Sequence, residues 1–316
     1  MAIRGSQALN RFLCLFLFQF FSTLIPRPIQ KYITVVIGDL FYLLMPETRR
    51  AIRKNLEVVG RGRWSKKKVE ALTRKTFQNY GQYLLDYMVM HRLRPANKDR
   101  WIEAEEGDRY MIDALQRGRG AICITPHLGN WEMGGLLFSF KGGKLNVLTL
   151  DEPDHGTKSY REEMRRRAGI KNIYIDPKVE SPVAILDAVK ALKRNEIVAM
   201  LGDRVETPKT MTFDFFGRKT PFPIGVALLS LATGAPVLPV FVVLEKNRKY
   251  RGVIESPITF EPGSRGDREE GIRRGMETLI KKFEAYIEKY PDQWYNFFSY
   301  WPERPSSSPT GEKIDG

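Results

Sequence analysis

The chain has 316 residues, 42% of them apolar, and carries 51 Lys and Arg against 37 Asp and Glu, a net charge of +14. That supplies a packed core for one large domain or two small ones and excludes a largely disordered chain. The positive excess points to an anionic partner, whereas the two cysteines, Cys14 and Cys123, exclude a disulfide framework or a CxxC zinc site and fit a reducing compartment.

The first element is an apolar run at residues 12–25, preceded by Arg4 and Arg11. Pro26, Arg27 and Pro28 follow it where a signal peptide would have a small-residue cleavage site. As a helix the run rises roughly 21 Å, short of the ~30 Å hydrocarbon core of a bilayer. A second run at 32–45 carries Asp39. With clustered phenylalanines and basic flanks, residues 1–45 are expected to form an apolar membrane-anchoring segment, embedded or interfacial. A buried core helix is the competing reading.

From Pro46 the pattern turns amphipathic and charged. "ETRRAIRKNLEVV" and "SKKKVEALTRKTFQNYGQYLLDYMVM" have apolar residues at helical spacing, and Ser65 is a good cap for the second. Beyond Gly107, strands expected at 120–125, 145–150, 172–175, 196–201, 236–243 and 251–258 alternate with helices at 131–140, 157–168, 180–194, 222–233 and 268–289. That alternation predicts an α/β sheet covered by helices. A catalytic domain would span 46–304, and the tail from Pro305, "PSSSPTGEKIDG" (305–316), reads as disordered. No GxGxxG, P-loop, HExxH or Cys/His metal spacing occurs, so no metal is expected.

The strand at 120–125 runs into "PHLGNWE". Inside one helix His127 and Glu132 would stand about 140° apart, on different faces. They can meet only with His127 in the turn and Glu132 in the first helical turn. Pro126 ends the strand, Gly129 permits a tight turn, and Asn130 is a good N-cap for a helix from Trp131. In that geometry Glu132 accepts the Nδ1 proton of His127, leaving Nε2 to take a proton from a substrate hydroxyl. A satisfied histidine at a helix start is the alternative that spacing alone leaves open. Asp203 and Arg204 follow the strand at 196–201, where α/β sheets place functional groups, or they form a structural ion pair. "FFGRKTPFP" either lines the core or floors an acyl pocket.

In this light "HLGNWE" resembles the histidine–four residues–acid motif of the lysophospholipid acyltransferase superfamily, in the form found in lipid A late acyltransferases (lauroyl/myristoyl transferases). "RRAIRKNLEVV", "ALQRGRGAICITPHLGNWE", "RRRAGI", "LGDR", "FFGRKTPFPIGVALLSLATGAPVLPVF" and "PDQWYNFFSYWPERP" fall in that family's order. The resemblance implies a mixed sheet covered by helices, like lysophospholipid and glycerol-3-phosphate acyltransferases. It implies His127 as general base and Glu132 as its orienting acid. Arg165 matches a basic residue that contacts substrate or the intermediate, and Asp203 a motif acid with Arg204 beside it. Phe216 and Gly217 match a block lining the substrate sites, and Asn130 stands at amides suited to an oxyanion.

The implied reaction moves a fatty acyl chain from acyl carrier protein or acyl-CoA to a hydroxyl of a lipid A-type glycolipid, without a bound cofactor. Its place is the cytoplasmic face of the cell inner membrane. A different glycolipid or lysophospholipid acceptor, thioester or lipid hydrolysis, and a non-enzymatic basic membrane-surface protein are the rivals. Aromatics gathered in apolar runs rather than among basic residues argue against nucleic acid. One departure stands out: the family closes with Trp-x-x-Phe-His-Arg-Arg-Trp, whereas this chain has "WYNFFSYW", placing Phe298, Ser299 and Tyr300 at the basic positions.

Overall fold

The computed structural model describes residues 27–150, 155–176, 182–205, 208–260 and 265–301. The apolar run at 12–25 and the tail expected to be disordered lie outside the described residues. Three helices lead into the sheet: α1 (Arg27–Leu44), α2 (Pro46–Gly60) and α3 (Lys66–Val89). Proline at the first position of α2 removes an N–H that would lack a partner there, and the Ser65 hydroxyl accepts the Lys68 N–H at the start of α3.

α1 is amphipathic in the inverted sense. It packs on α3 through Gln30 and Thr34, 4% and 1% exposed, and through Gly38, where a Cβ would lie 2.6 Å from the Cα of Gln78. Asp39 ties the two helices through a two-pronged pair with Arg74 at 2.7 and 2.5 Å. Ile29, Tyr32, Val36, Leu40, Leu43 and Leu44 remain exposed. A helix belonging to a core would turn those residues inward. Among the described residues no helix is long and apolar enough to cross a membrane.

The sheet has seven strands in the order β1 (Ile102–Glu106), β9 (Tyr250–Ile254), β8 (Val237–Leu244), β2 (Ala121–Thr125), β5 (Ile197–Leu201), β3 (Leu145–Leu150), β4 (Lys171–Ile175). The five from β8 to β4 are parallel, and β9 runs antiparallel to β8, so the sheet is mixed. Helices cover both faces, with α4 (Asp108–Gln116), α5 (Trp131–Phe140) and α6 (His155–Arg167) joining the first strands. α7 (Pro182–Lys193), α8 (Gly225–Thr233) and α9 (Arg265–Lys289) follow. β2 divides its side chains by the two-residue period of a strand. Ile122 and Ile124 enter the core under α7, α8 and α9, while Ala121 and Cys123 enter the core under α5.

Two parts of the sheet architecture differ from expectation. β1, "IEAEE", buries only Ile102 and is held by pairing with β9, so its composition carries no strand signal. The aromatic loop around Phe215 is in fact a hairpin of β6 (Thr210–Phe215) and β7 (Arg218–Pro223). Phe216 and Gly217 form its turn with φ of 54° and 78°, the mirror-image turn that suits the twist of paired strands.

Candidate active site

The register of β2 and β5 builds the site. Thr125 lies opposite Leu201 in parallel pairing, so His127 and Asp203, two residues beyond each strand end, arrive side by side. His127 donates its main-chain N–H to Asp203 Oδ1 at 3.1 Å, and its Nδ1 stands 2.6 Å from the same oxygen. A carboxylate that close places the ring proton on Nδ1 and leaves Nε2 as the basic nitrogen. The Trp131 ring meets the imidazole edge-to-face at 5.5 Å.

The turn carrying His127 is pressed against β8. Gly129 has φ 65°, and a Cβ there would sit 2.0 Å from the Val242 carbonyl oxygen. The Gly129 and Asn130 N–H groups donate to Gln293 O and Val242 O at 2.9 and 2.7 Å. Asn130 Oδ1 then accepts the Met133 N–H at 3.0 Å and starts α5 at Trp131. Helix geometry leaves the Trp131 and Glu132 N–H groups without acceptors inside the helix.

Asp203 is fully buried and its remaining contacts come from the closing segment. Oδ2 accepts the Trp294 indole N–H at 3.0 Å and the Asn296 amide at 3.3 Å, and the Tyr300 hydroxyl donates to the Asp203 carbonyl. Burial alone would raise the carboxyl, but the charge and hydrogen bond of His127, the Arg204 charge and the Trp294 indole outweigh it and hold Asp203 at about 2. The Tyr295 N–H donates to the His127 carbonyl at 2.8 Å, so one segment grips both partners.

Glu132 faces away from His127. It is 6% exposed and takes a two-pronged bond from Arg165, Nε to Oε2 at 3.1 Å and Nη2 to Oε1 at 2.6 Å. Arg165 also donates to Asn172 Oδ1 at 2.7 Å. Burial would lower the Arg165 pKa, but the Glu132 charge and hydrogen bonds carry it above its usual value. Next to this pair a largely apolar cleft runs between α5 and the sheet. Thr125, Trp131, Glu132 and Leu201 line its catalytic end, and Phe138, Leu145 and Ile170 its far end. Cys123 lines it too, its thiol pushed up to about 12 by burial and so unreactive.

The chain matches the model of the bacterial lipid A biosynthesis acyltransferase family over residues 6–302. It belongs to that family. The acyltransferase is also 26% identical to the phosphatidylinositol mannoside acyltransferase of Mycolicibacterium smegmatis, over 73% of this chain and 72% of the relative. It is 26% identical to the one of Mycobacterium tuberculosis H37Rv, over 72% and 69%.

The acyltransferase brings His127, Asn130, Glu132, Arg165 and Asp203 to one end of its sheet, in different pairings from those expected. The partner of Nδ1 is Asp203, not Glu132. Asn130 starts the helix so that the Glu132 side chain projects toward α6, while strand register delivers Asp203 to the ring. Arg204 turns to the closing segment, donating to Asn296 Oδ1 and Tyr295 O at 2.8 Å each and lying over the Phe298 ring. Phe216 and Gly217 do not line the cleft. Phe216 is 3% exposed and packs on Phe215 and Trp301, because the hairpin turn docks against the aromatic core. Trp294 and Asn296 were not expected at the site, their only sequence signal being a polar Asn among aromatics, whereas Tyr300, singled out where the family has a basic residue, turns its hydroxyl to the Asp203 carbonyl. Among the described residues no group of three His, Cys, Asp or Glu could hold a metal ion.

Proposed function

We propose that this acyltransferase moves a fatty acyl chain from a thioester donor, acyl carrier protein or acyl-CoA, to a hydroxyl of a membrane glycolipid. His127 Nε2 takes the hydroxyl proton as the oxygen attacks the thioester carbonyl. The tetrahedral oxyanion is met by the Trp131 and Glu132 N–H groups at the start of α5, with Arg165 neutralising the Glu132 carboxylate beside them. Collapse breaks the C–S bond, and the proton on His127 passes to the departing thiolate. Asp203 holds the imidazole in the required tautomer and balances its charge while it is protonated. The thioester is already activated, so the step needs no metal or bound cofactor. The observation that carries this reading is the 2.6 Å His127–Asp203 contact beside an apolar cleft.

The cleft suits the acyl chain, since its lining along α5 and the sheet is mostly apolar and includes Thr125 and Trp131 close to His127 in the chain. A mannosylated or otherwise lightly charged glycolipid is the favoured acceptor. Two findings support it: the names of the relatives, and a closing segment whose Phe298 and Tyr300 stand where lipid A enzymes carry basic residues. The exposed apolar face of α1 would lie in the lipid surface at the cytoplasmic face of the inner membrane, bringing acceptor and site together.

Purified enzyme is given palmitoyl-CoA or palmitoyl carrier protein, with phosphatidylinositol mannoside or a bis-phosphorylated lipid A precursor in mixed micelles. Mass spectrometry should find a palmitoyl group added to the mannoside. Release of free fatty acid unaffected by either acceptor would overturn transfer in favour of hydrolysis. Strong preference for the phosphorylated acceptor would overturn the acceptor reading alone.

A further inference from the structure

We propose that Asn55, far from the reacting atoms in sequence, is a positioning residue for the His127–Asp203 pair. This rests on the reading of that pair as the base of the transfer reaction.

Asn55 lies on the buried face of α2 with Ala51, Ile52, Leu56 and Val59, and is itself 4% exposed. An amide among apolar neighbours is costly to bury unless its hydrogen bonds are made. Every bond shown for its side chain leaves the helix and reaches the closing segment. Nδ2 donates to Asn296 O at 3.1 Å and to Phe298 O at 2.8 Å. Oδ1 accepts the Tyr300 N–H at 3.0 Å. Residues 296–300 belong to no helix or strand, so this one side chain supplies bonds that a neighbouring strand would otherwise give.

The residues it grips are the ones that touch Asp203. Asn296 is held by its carbonyl and reaches Asp203 Oδ2 with its side chain. Tyr300 is held by its N–H and donates its hydroxyl to the Asp203 carbonyl. Asn55 thus fixes the backbone behind two of the groups that orient Asp203, and through Asp203 it fixes the direction of Nε2. A small rotation of a positioned base far outweighs its stability cost in rate.

The decisive variant is Asn55→Asp, which keeps the size and the acceptor for the Tyr300 N–H but turns an oxygen toward two carbonyls. Palmitoyl-CoA is the donor, each of the two acceptors above is supplied, and release of free thiol is followed with acceptor varied. The expected result is a kcat loss of about tenfold to a hundredfold with KM within about twofold, in protein that remains folded at the assay temperature. Asn296→Ala should give a similar loss, and the double variant should be little worse than either, since both act through one contact. If Asn55→Asp does not fold, Asn55→Ser is read by the same split. A normal kcat in the folded Asn55 variant, or losses at Asn55 and Asn296 that multiply fully, overturns the proposal. Asp203→Asn is run alongside. If it is active, the reading of the pair itself fails; if it is inactive while Asn55→Asp is normal, only the role of Asn55 fails.

Discussion

His127 and Glu132 are five residues apart, yet each is bound to something much further along the chain. The histidine was legible because a strand ending in Pro-His before a helix cap exposes a reactive side chain. Asp203 was legible as a site acid but not as its partner, because the pairing depends on β5 lying beside β2, and strand order is not written in any local stretch. His127→Ala should lower kcat by roughly 10²–10⁴ with the fold intact, the usual range for a positioned base; steady-state rates with a melting curve check it. Glu132 should behave differently. Removing one member of a buried ion pair leaves the other charge stranded, so Glu132→Gln should destabilise by about 3–5 kcal/mol, and Glu132→Gln with Arg165→Met should recover much of that. Chemical denaturation of the parent and the two variants tests it, and equal stability of Glu132→Gln and the parent would contradict it. For Asp203 the sign is that of a depressed carboxyl. Its ionised form supports folding above the unfolded value of about 3.9 and loses that support as pH falls toward about 2. The stability gap between the parent and Asp203→Asn should therefore narrow between pH 5 and pH 2.

Among the elements, α5 combines capping with an opening. Gly134 and Gly135 are poor helix formers, and both line the cleft. A Cβ at Gly135 would lie 3.3 Å from Leu145 Cδ2 and 3.4 Å from Ile170 Cδ1, near the end of the cleft away from His127. Gly135→Leu should fill that region and shift donor use toward shorter chains, measured as kcat/KM across acyl-CoA lengths. An unchanged chain-length profile would remove the cleft as the acyl site. The central strands were readable as apolar runs between helical patterns, since both faces are covered. β6 and β7 were less so: Phe213, Phe215 and Phe222 are buried and alternate with exposed residues, but prolines and a Phe-Gly turn make the stretch read as a loop. The terminal aromatic segment carried no regular pattern at all, and its shape comes from the contacts of Asn55, Asp203 and Arg204 together with ring packing on Phe215.

At the scale of the molecule, three N-terminal helices carry an apolar face on one side and hold the closing segment on the other. The apolar composition of residues 32–45 was legible, but its direction was not, because the buried side of α1 is chosen by the close approach at Gly38. Val36→Glu with Leu40→Glu should abolish co-sedimentation with vesicles of anionic phospholipid while leaving turnover in mixed micelles near that of the parent. Retained sedimentation would show that α1 is not the contact. The proposed chemistry depends above all on the group that orients His127. The most direct test is the rate of acyl transfer by folded Asp203→Asn, followed as palmitoyl added to phosphatidylinositol mannoside. With the wrong tautomer held in place, the rate should fall by about 10³–10⁴. Transfer at the parent's rate would contradict the pairing of His127 with Asp203 as the basis of catalysis.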